Sequence, residues 1–223
     1  MLDRKRFDAL ARYARELHAR EWVANHDGNL SLRDDDGRFV ATPTAYSKRL
    51  IEVDDLLVVD RSGKVLRGRH RIFGEWQLHR AVYDARPDAR AVLHAHPVTA
   101  SGFALAGVAL APVATAEIAV SLGDQIPLVP FAMPGSEALE RTVAAAAERF
   151  DVLLLERNGV LALGDDLEQA FLRLELVEHY ARQLLVARQL GGPAPLASDQ
   201  LTTLQQARTK AGLGPEARGL PKR

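Results

Sequence analysis

The stretch from Glu75 to Pro97 sets the tightest local constraint on what this chain can fold into. Trp76, Leu78, Ala81, Val82 and Ala85 recur at helical spacing. Arg86-Pro87-Asp88 then stops the helix, because proline disfavours a helical residue before it. An apolar strand, Ala91 to His96, begins at once. Within that strand His94 and His96 stand at i and i+2, so both imidazoles leave the same face and can converge on one ion. An H-x-H pair also arises on surfaces and in hydrogen-bonded cores, so its meaning depends on its surroundings.

The remaining pattern alternates irregularly between the two periods. Arg4 to Arg20 carries Phe7, Leu10, Ala11, Ala14 and Leu17 on one stripe, an opening amphipathic helix. Leu30 and Leu32 alternate with polar neighbours, Asp34 to Gly37 reads as a turn, and Arg38 to Thr42 as a second strand. A connection through Leu50 to Val53 leads to a strand at Leu56 to Asp60 and a hairpin turn at Arg61 to Lys64, giving a largely antiparallel beginning. Val98 to Leu105 reads as a helix. Ile126 to Val129 and Val152 to Glu156 read as strands around the Ala-rich helix Ser136 to Phe150. The last long helix is expected to start at Asp165, with Glu168 completing a capping box, and to end at Gly191-Gly192. Residues 1–197 thus read as one domain, and 198–223 as a polar, Gly/Pro/Lys-containing extension, frayed or partner-bound.

Composition narrows the functions. The 223 residues include 47% apolar and 26% charged residues, which places the chain among folded proteins in water. Lys plus Arg balances Asp plus Glu at 29 each, so no overall field draws the chain to nucleic acid, and small-molecule partners are expected. With no cysteine there is no disulfide, thiol nucleophile or thiolate metal site. Any metal must therefore sit on His, Asp, Glu or Asn. The longest apolar stretch, Phe103 to Ala116, falls short of the roughly 20 residues that span a bilayer. The first residues lack the apolar core of a signal peptide, and a cytoplasmic protein is expected.

Several polar residues could carry chemistry, and each has a plainer reading. Glu75 opens its helix with His79 one turn on, so the two share a face; the carboxylate is either an acid, base or ligand, or a solvated first-turn residue favoured by the helix dipole. Asn29 follows Asp27-Gly28, a turn whose amides can hold an anion, and Thr42 and Thr44 flank Pro43 with hydroxyls. All three are also ordinary loop residues. Asn158-Gly159 between apolar strands signals a type I′ hairpin.

Read in order, GNLSLR, TPT, GEWQLHRAVYDARPDARAVLHAHP, and LLLERNGVLALG followed by a long helix resemble the class II aldolase/adducin family over nearly the whole chain, in motif style nearest its fuculose-phosphate aldolase branch. The resemblance implies an α/β fold, a three-layer α/β/α sandwich around a mainly antiparallel sheet, assembled as a homotetramer with sites at subunit boundaries. It implies that His94 and His96 hold a divalent ion, typically zinc, with manganese or another ion as alternatives, and that Glu75 is the acid/base. Asn29, Thr42 and Thr44 fall in its substrate-binding region. The implied activity is an aldolase-type carbon–carbon lyase working on a small hydroxy-carbonyl or sugar-derived substrate through a metal-stabilised enediolate. Decarboxylation and epimerisation use the same apparatus.

Departures are equally visible. Asn158 stands where the family has its third metal histidine, and an amide oxygen is a weaker zinc ligand than imidazole. Phe73-Gly74 replaces two phosphate-holding serines, and Ala116 falls where the fuculose-phosphate branch has a tyrosine proton donor. Asn158 is expected to complete the metal site with His94 and His96 at reduced affinity, the alternatives being Glu75 in its place or loss of the metal. The missing serines favour a non-phosphorylated substrate. Asn158 and Ala116 favour a catalytically degenerate, adducin-like assembly module, which the retained Glu75, His94 and His96 oppose.

Overall fold

The computed structural model describes residues 4–218. Helix α1 (Arg4–Ala19) leads into strands β1 (Asn29–Arg33), β2 (Phe39–Ala41), β3 (Leu57–Val59) and β4 (Val65–Arg67). Then come α2 (Trp76–Ala85), β5 (Ala91–Ala95), α3 (Val98–Leu105), α4 (Ala116–Ser121), β6 (Leu128–Val129) and α5 (Glu137–Ala147). Strands β7 (Val152–Leu155) and β8 (Val160–Gly164) precede the long α6 (Leu167–Gln189), and α7 (Ser198–Lys210) and α8 (Gly214–Ala217) close the described chain.

The strands form one eight-stranded sheet in the order β4-β3-β2-β1-β5-β8-β7-β6. Every pairing is antiparallel except β6 with β7. The fold is α/β, as the resemblance implied, with helices on both faces. Strand alternation divides the core in two. Leu30, Leu32, Ala91, Leu93, Val160 and Ala162 pack on one face with α1, α3, α4 and α6. Val92, Leu153, Leu161 and Leu163 pack on the other with α2 and α5. Because β5 alternates, His94 shares the face of Val92, toward α2. No helix among the described residues is long and apolar enough to cross a membrane.

Three expectations need correction. The N-cap of α6 is Asp166, whose side chain accepts from the Gln169 backbone, and the side chain of Gln169 in turn accepts from Asp165 N. The cap is thus shifted one residue from Asp165, and the reciprocal bond runs to Asp165 N rather than to the N-cap, because adjacent aspartates offer equivalent caps in sequence. The β7–β8 hairpin forms, but its left-handed residue is Arg157 (φ 58°) rather than Asn158 or Gly159. Gly159 serves a different purpose: a Cβ there would lie 2.5 Å from Ala95 O and from His96 Cδ2, so the turn approaches β5 closely only because that atom is missing. Finally, residues 198–218 are not a frayed tail. They are largely helical, and Arg208 and Arg218 reach into the domain to the buried Asp151, at 3.0 and 2.7 Å. Residues 219–223 of the expected extension lie outside the described residues.

Candidate active site

Sheet register assembles the site. Asn29, the first residue of β1, pairs directly with His94 of β5. Neighbouring β8 begins just after Asn158 and Gly159. Above these strand ends sits the start of α2, whose N-cap residue is Glu75. The Glu75 side chain makes no cap bond to its own helix and is only 28% exposed, so it is not a solvated first-turn residue. It turns instead into a polar cluster. Oε2 accepts from Asn29 Nδ2 at 2.9 Å, Oε1 accepts from Asn158 Nδ2 at 3.1 Å, and Oε2 stands 3.5 Å from His94 Nε2. Burial raises the carboxyl pKa, while a protonated His94 and the amide donors Asn158 and Asn29 lower it, to about 2, and with an amide N–H on each oxygen Glu75 is a carboxylate.

The orientation of Asn29 is set from behind by a buried row of hydrogen bonds. Asn29 Oδ1 lies 2.6 Å from His79 Nε2, and His79 Nδ1 lies 2.7 Å from Ser31 Oγ. Tyr83 OH closes the row on Ser31, 2.8 Å from its Oγ and 3.0 Å from its carbonyl. With Asn29 Nδ2 committed to a carboxylate, Asn29 Oδ1 must accept. His79 therefore donates from Nε2, and Ser31 donates to His79 Nδ1. His79 is neutral: full burial, with His94 adding to it, lowers its pKa to about 3. The bonds run in one direction and end on the carboxylate.

The two strand histidines point their Nε2 atoms at each other across 3.0 Å. His94 Nδ1 faces the Val160 carbonyl at 3.0 Å, and His96 Nδ1 faces Asp27 Oδ2 at 3.1 Å. Both partners are acceptors, so a neutral ring that gives its hydrogen to the Nδ1 partner leaves a lone pair on Nε2. With both rings in that tautomer no hydrogen lies between the two Nε2 atoms, whereas a hydrogen on either Nε2 makes their 3.0 Å contact a hydrogen bond. Burial, with the neighbouring His94, also lowers the His96 pKa, which favours the neutral ring. Two zinc–imidazole bonds at the tetrahedral angle set their nitrogens roughly 3.4 Å apart, so this donor pair fits a divalent cation. The described residues contain no group of three His, Asp or Glu side chains arranged to hold an ion. An oxygen from Asn158 or Glu75 would have to complete the set, and in this structure the amide nitrogen of Asn158 is on Glu75.

Thus Asn29, Glu75, His94, His96 and Asn158 come together, and the two threonines do not join them. The Thr42 hydroxyl is buried and accepts from Leu30 N at 3.1 Å, while half-buried Thr44 is tied by its backbone to Arg71 O at 3.0 Å. Sequence reasoning passed over Asp27, Ser31 and Tyr83. The signals were present: Ser31 is two residues from Asn29 on the same strand face, and Tyr83 is one helical turn from His79. Beside Glu75 and Asn158 opens a pocket of about 190 Å³ lined by Pro130, Phe131, Glu156 and Arg157. The largest hollow, about 880 Å³ along α4 and α6, includes none of these site residues. The smaller pocket is the one that Glu75 and Asn158 of the polar cluster line.

Known proteins share this arrangement of chain. An L-fuculose phosphate aldolase of Haemophilus influenzae is 33% identical over 173 residues, 78% of this chain and 79% of that protein. A solved L-fuculose 1-phosphate aldolase superposes with a TM-score of 0.85 at 28% identity, covering 92% of this chain and 97% of that one. A solved Escherichia coli protein described as a candidate aldolase/epimerase/decarboxylase superposes with a TM-score of 0.82 at 25% identity, covering 89% and 97%. Residues 8–185 match the family described as Class II Aldolase and Adducin N-terminal domain, and the chain belongs to that family.

Proposed function

We propose that this chain is a divalent-metal-dependent carbon–carbon lyase of the aldolase type. The observation that carries the reading is the meeting, at one point, of an ionised Glu75 held by two amides with a pair of imidazoles whose Nε2 lone pairs face each other. His94 and His96 would hold the ion, with zinc the best match to two imidazoles and Asn158 or Glu75 supplying oxygen. The ion's contribution is Lewis acidity toward an oxygen that gains negative charge as the bond breaks. Glu75 carries the proton to or from the reacting carbon, and Asn29 and Asn158 keep its carboxylate aimed during the transfer.

The substrate in this reading is a small hydroxy-carbonyl compound bound in the pocket beside Glu75 and Asn158. Phe73 argues against a phosphate-bearing one. Its ring is buried against Trp76 and His79 and offers no hydroxyl where the fuculose-phosphate branch has a serine. The reading extends to a cytoplasmic homotetramer. A decarboxylase or epimerase needs the same proton carrier, and the E. coli neighbour is described as a candidate for any of the three reactions. A second reading, an adducin-like assembly module without catalysis, draws on Asn158 standing in place of a histidine and on Ala116.

Metal content per subunit separates the two. Protein purified without chelator is expected to carry near-stoichiometric divalent ion by elemental mass spectrometry, and a His94→Ala, His96→Ala double variant to lose it. If both proteins are metal-free even after reconstitution, the lyase reading fails and the assembly module takes its place.

A further inference from the structure

Asp27 is neither one of the ion-holding groups nor a proton carrier in the reading above, yet both its carboxylate oxygens are committed. Oδ1 accepts from Ala24 N at 2.6 Å, while Asp27 N donates back to Ala24 O at 3.0 Å, so the turn over residues 24–27 is closed in both directions. That leaves Oδ2, which lies 3.1 Å from His96 Nδ1.

The surrounding segment is fastened on every side. Buried Lys48 donates from Nζ to His26 O at 3.1 Å. His96 N donates to Trp22 O at 2.8 Å. Gly28 holds the left-handed φ of 67°, and any Cβ there would run into Val23. Residues 22–28 form a fixed bracket that delivers one carboxylate oxygen to one ring nitrogen.

A neutral imidazole has one N–H, and an acceptor at Nδ1 decides where it stays. Without that acceptor the hydrogen is free to settle on Nε2, where His94 Nε2 waits 3.0 Å away to accept it. The two rings would then hydrogen-bond to each other and close the gap to a cation. We propose that Asp27 is a positioning residue that keeps His96 in its Nδ1–H tautomer, so that the histidine pair stays open to a divalent ion. The inference rests on the metal-dependent reading and adds a determinant of affinity outside the ligand set.

The amide variant Asp27→Asn separates this role from turn closure. Its oxygen can still accept from Ala24 N–H, but its NH₂ would face His96 and drive the hydrogen to Nε2. Two measurements on the full chain decide the matter: the protonated nitrogen of His96 by ¹⁵N–¹H correlation in the zinc-free protein, and the zinc Kd by competition with a chromophoric chelator. We expect Nδ1–H in the wild type, Nε2–H in Asp27→Asn, and a zinc Kd raised about 10- to 100-fold with the thermal midpoint nearly unchanged. If the wild type binds zinc and Asp27→Asn binds it equally tightly, the inference fails while the lyase reading stands. A wild type that takes up no zinc overturns the lyase reading and this inference together. Should the variant not fold, the wild-type tautomer decides alone, and Nε2–H on His96 overturns the proposal.

Discussion

Glu75 is surrounded by donors whose orientations are not equally free. Asn29 cannot turn over, because its Oδ1 receives His79 Nε2 at 2.6 Å. Asn158 is held by its single bond to Oε1 and can rotate by half a turn. Glu75→Gln therefore keeps its oxygen on Asn29 and presents its NH₂ to a rotated Asn158. We expect a folded variant, with a thermal midpoint within a few degrees of wild type, whose turnover on an identified substrate falls by about 10²- to 10⁴-fold, the usual share of a positioned acid/base. An active Glu75→Gln enzyme would remove Glu75 from the chemistry. The pair His94/His96 and the spacing to Glu75 were readable from sequence because strand and helix periods convert directly into shared faces. Periodicity puts Ser31 on the face of Asn29 and Tyr83 on that of His79, but the contact between the two pairs, and that of Asp27 with His96, depends on tertiary packing. Thr42 stands apart from the cluster for a related reason: just past β2 its hydroxyl accepts from the Leu30 backbone N–H.

The elements that frame the site meet at distances only particular residues permit. Gly159 lets the β7–β8 turn lie against Ala95 and His96, and its φ is not left-handed, so space rather than backbone freedom explains it. Gly159→Ala is expected to cost about 1–3 kcal/mol, as overpacking does, because the Ala95 carbonyl in mid-sheet cannot move aside. Urea denaturation measures the loss. The same variant should weaken divalent-ion binding by displacing the His96 ring, and unchanged stability with unchanged ion affinity would show the turn to be more pliable than this packing suggests. The strands and helices flanking this turn were legible from apolar runs and periods, whereas its conformation was not. Asn-Gly is a strong turn signal by local preference, but here the close approach of β5 dictates which residue takes the left-handed position.

At the scale of the molecule, Asp151 ties together parts remote in sequence. The fully buried carboxylate meets Arg86 after α2 at 2.9 Å, Arg173 of α6 at 3.1 Å, Arg208 of α7 at 3.0 Å and Arg218 at 2.7 Å. Burial opposes its charge, but Arg173, Arg86, Arg218 and Arg208 outweigh it and hold the pKa at about 2. Since that lies below the ordinary value of 3.8, its stabilisation is complete above about pH 4 and is lost as pH falls through about 2. Asp151→Asn should lose about 3–5 kcal/mol at neutral pH, because buried guanidiniums are left without their counter-charge, and its stability should fall less steeply than the wild type's between pH 4 and 2. Chemical denaturation across that range tests both, and parallel curves would mean that Asp151 does not titrate with unfolding. The α/β layering was legible in the alternation of periods, but the docking of residues 198–218 was not. Helix α7 offers the core only Leu201 and Leu204, too short an apolar pattern to announce its docking, and the reach of Arg208 and Arg218 to a distant aspartate has no signature in sequence.

The placement of β5 carries a further consequence. Its neighbours β1 and β8 stand in the interior of the eight-strand order, and Asn29, His94 and the turn bearing Asn158 belong to these three strands. Fraying of β4 or β6 at either margin leaves their mutual ladders intact. The Asn29–His94 pair therefore belongs to the last part of the molecule to open, and the chain has little scope for a partly unfolded form that keeps its outer layers while losing this pair. Inactivation by heat or denaturant is then the same cooperative event as loss of the fold.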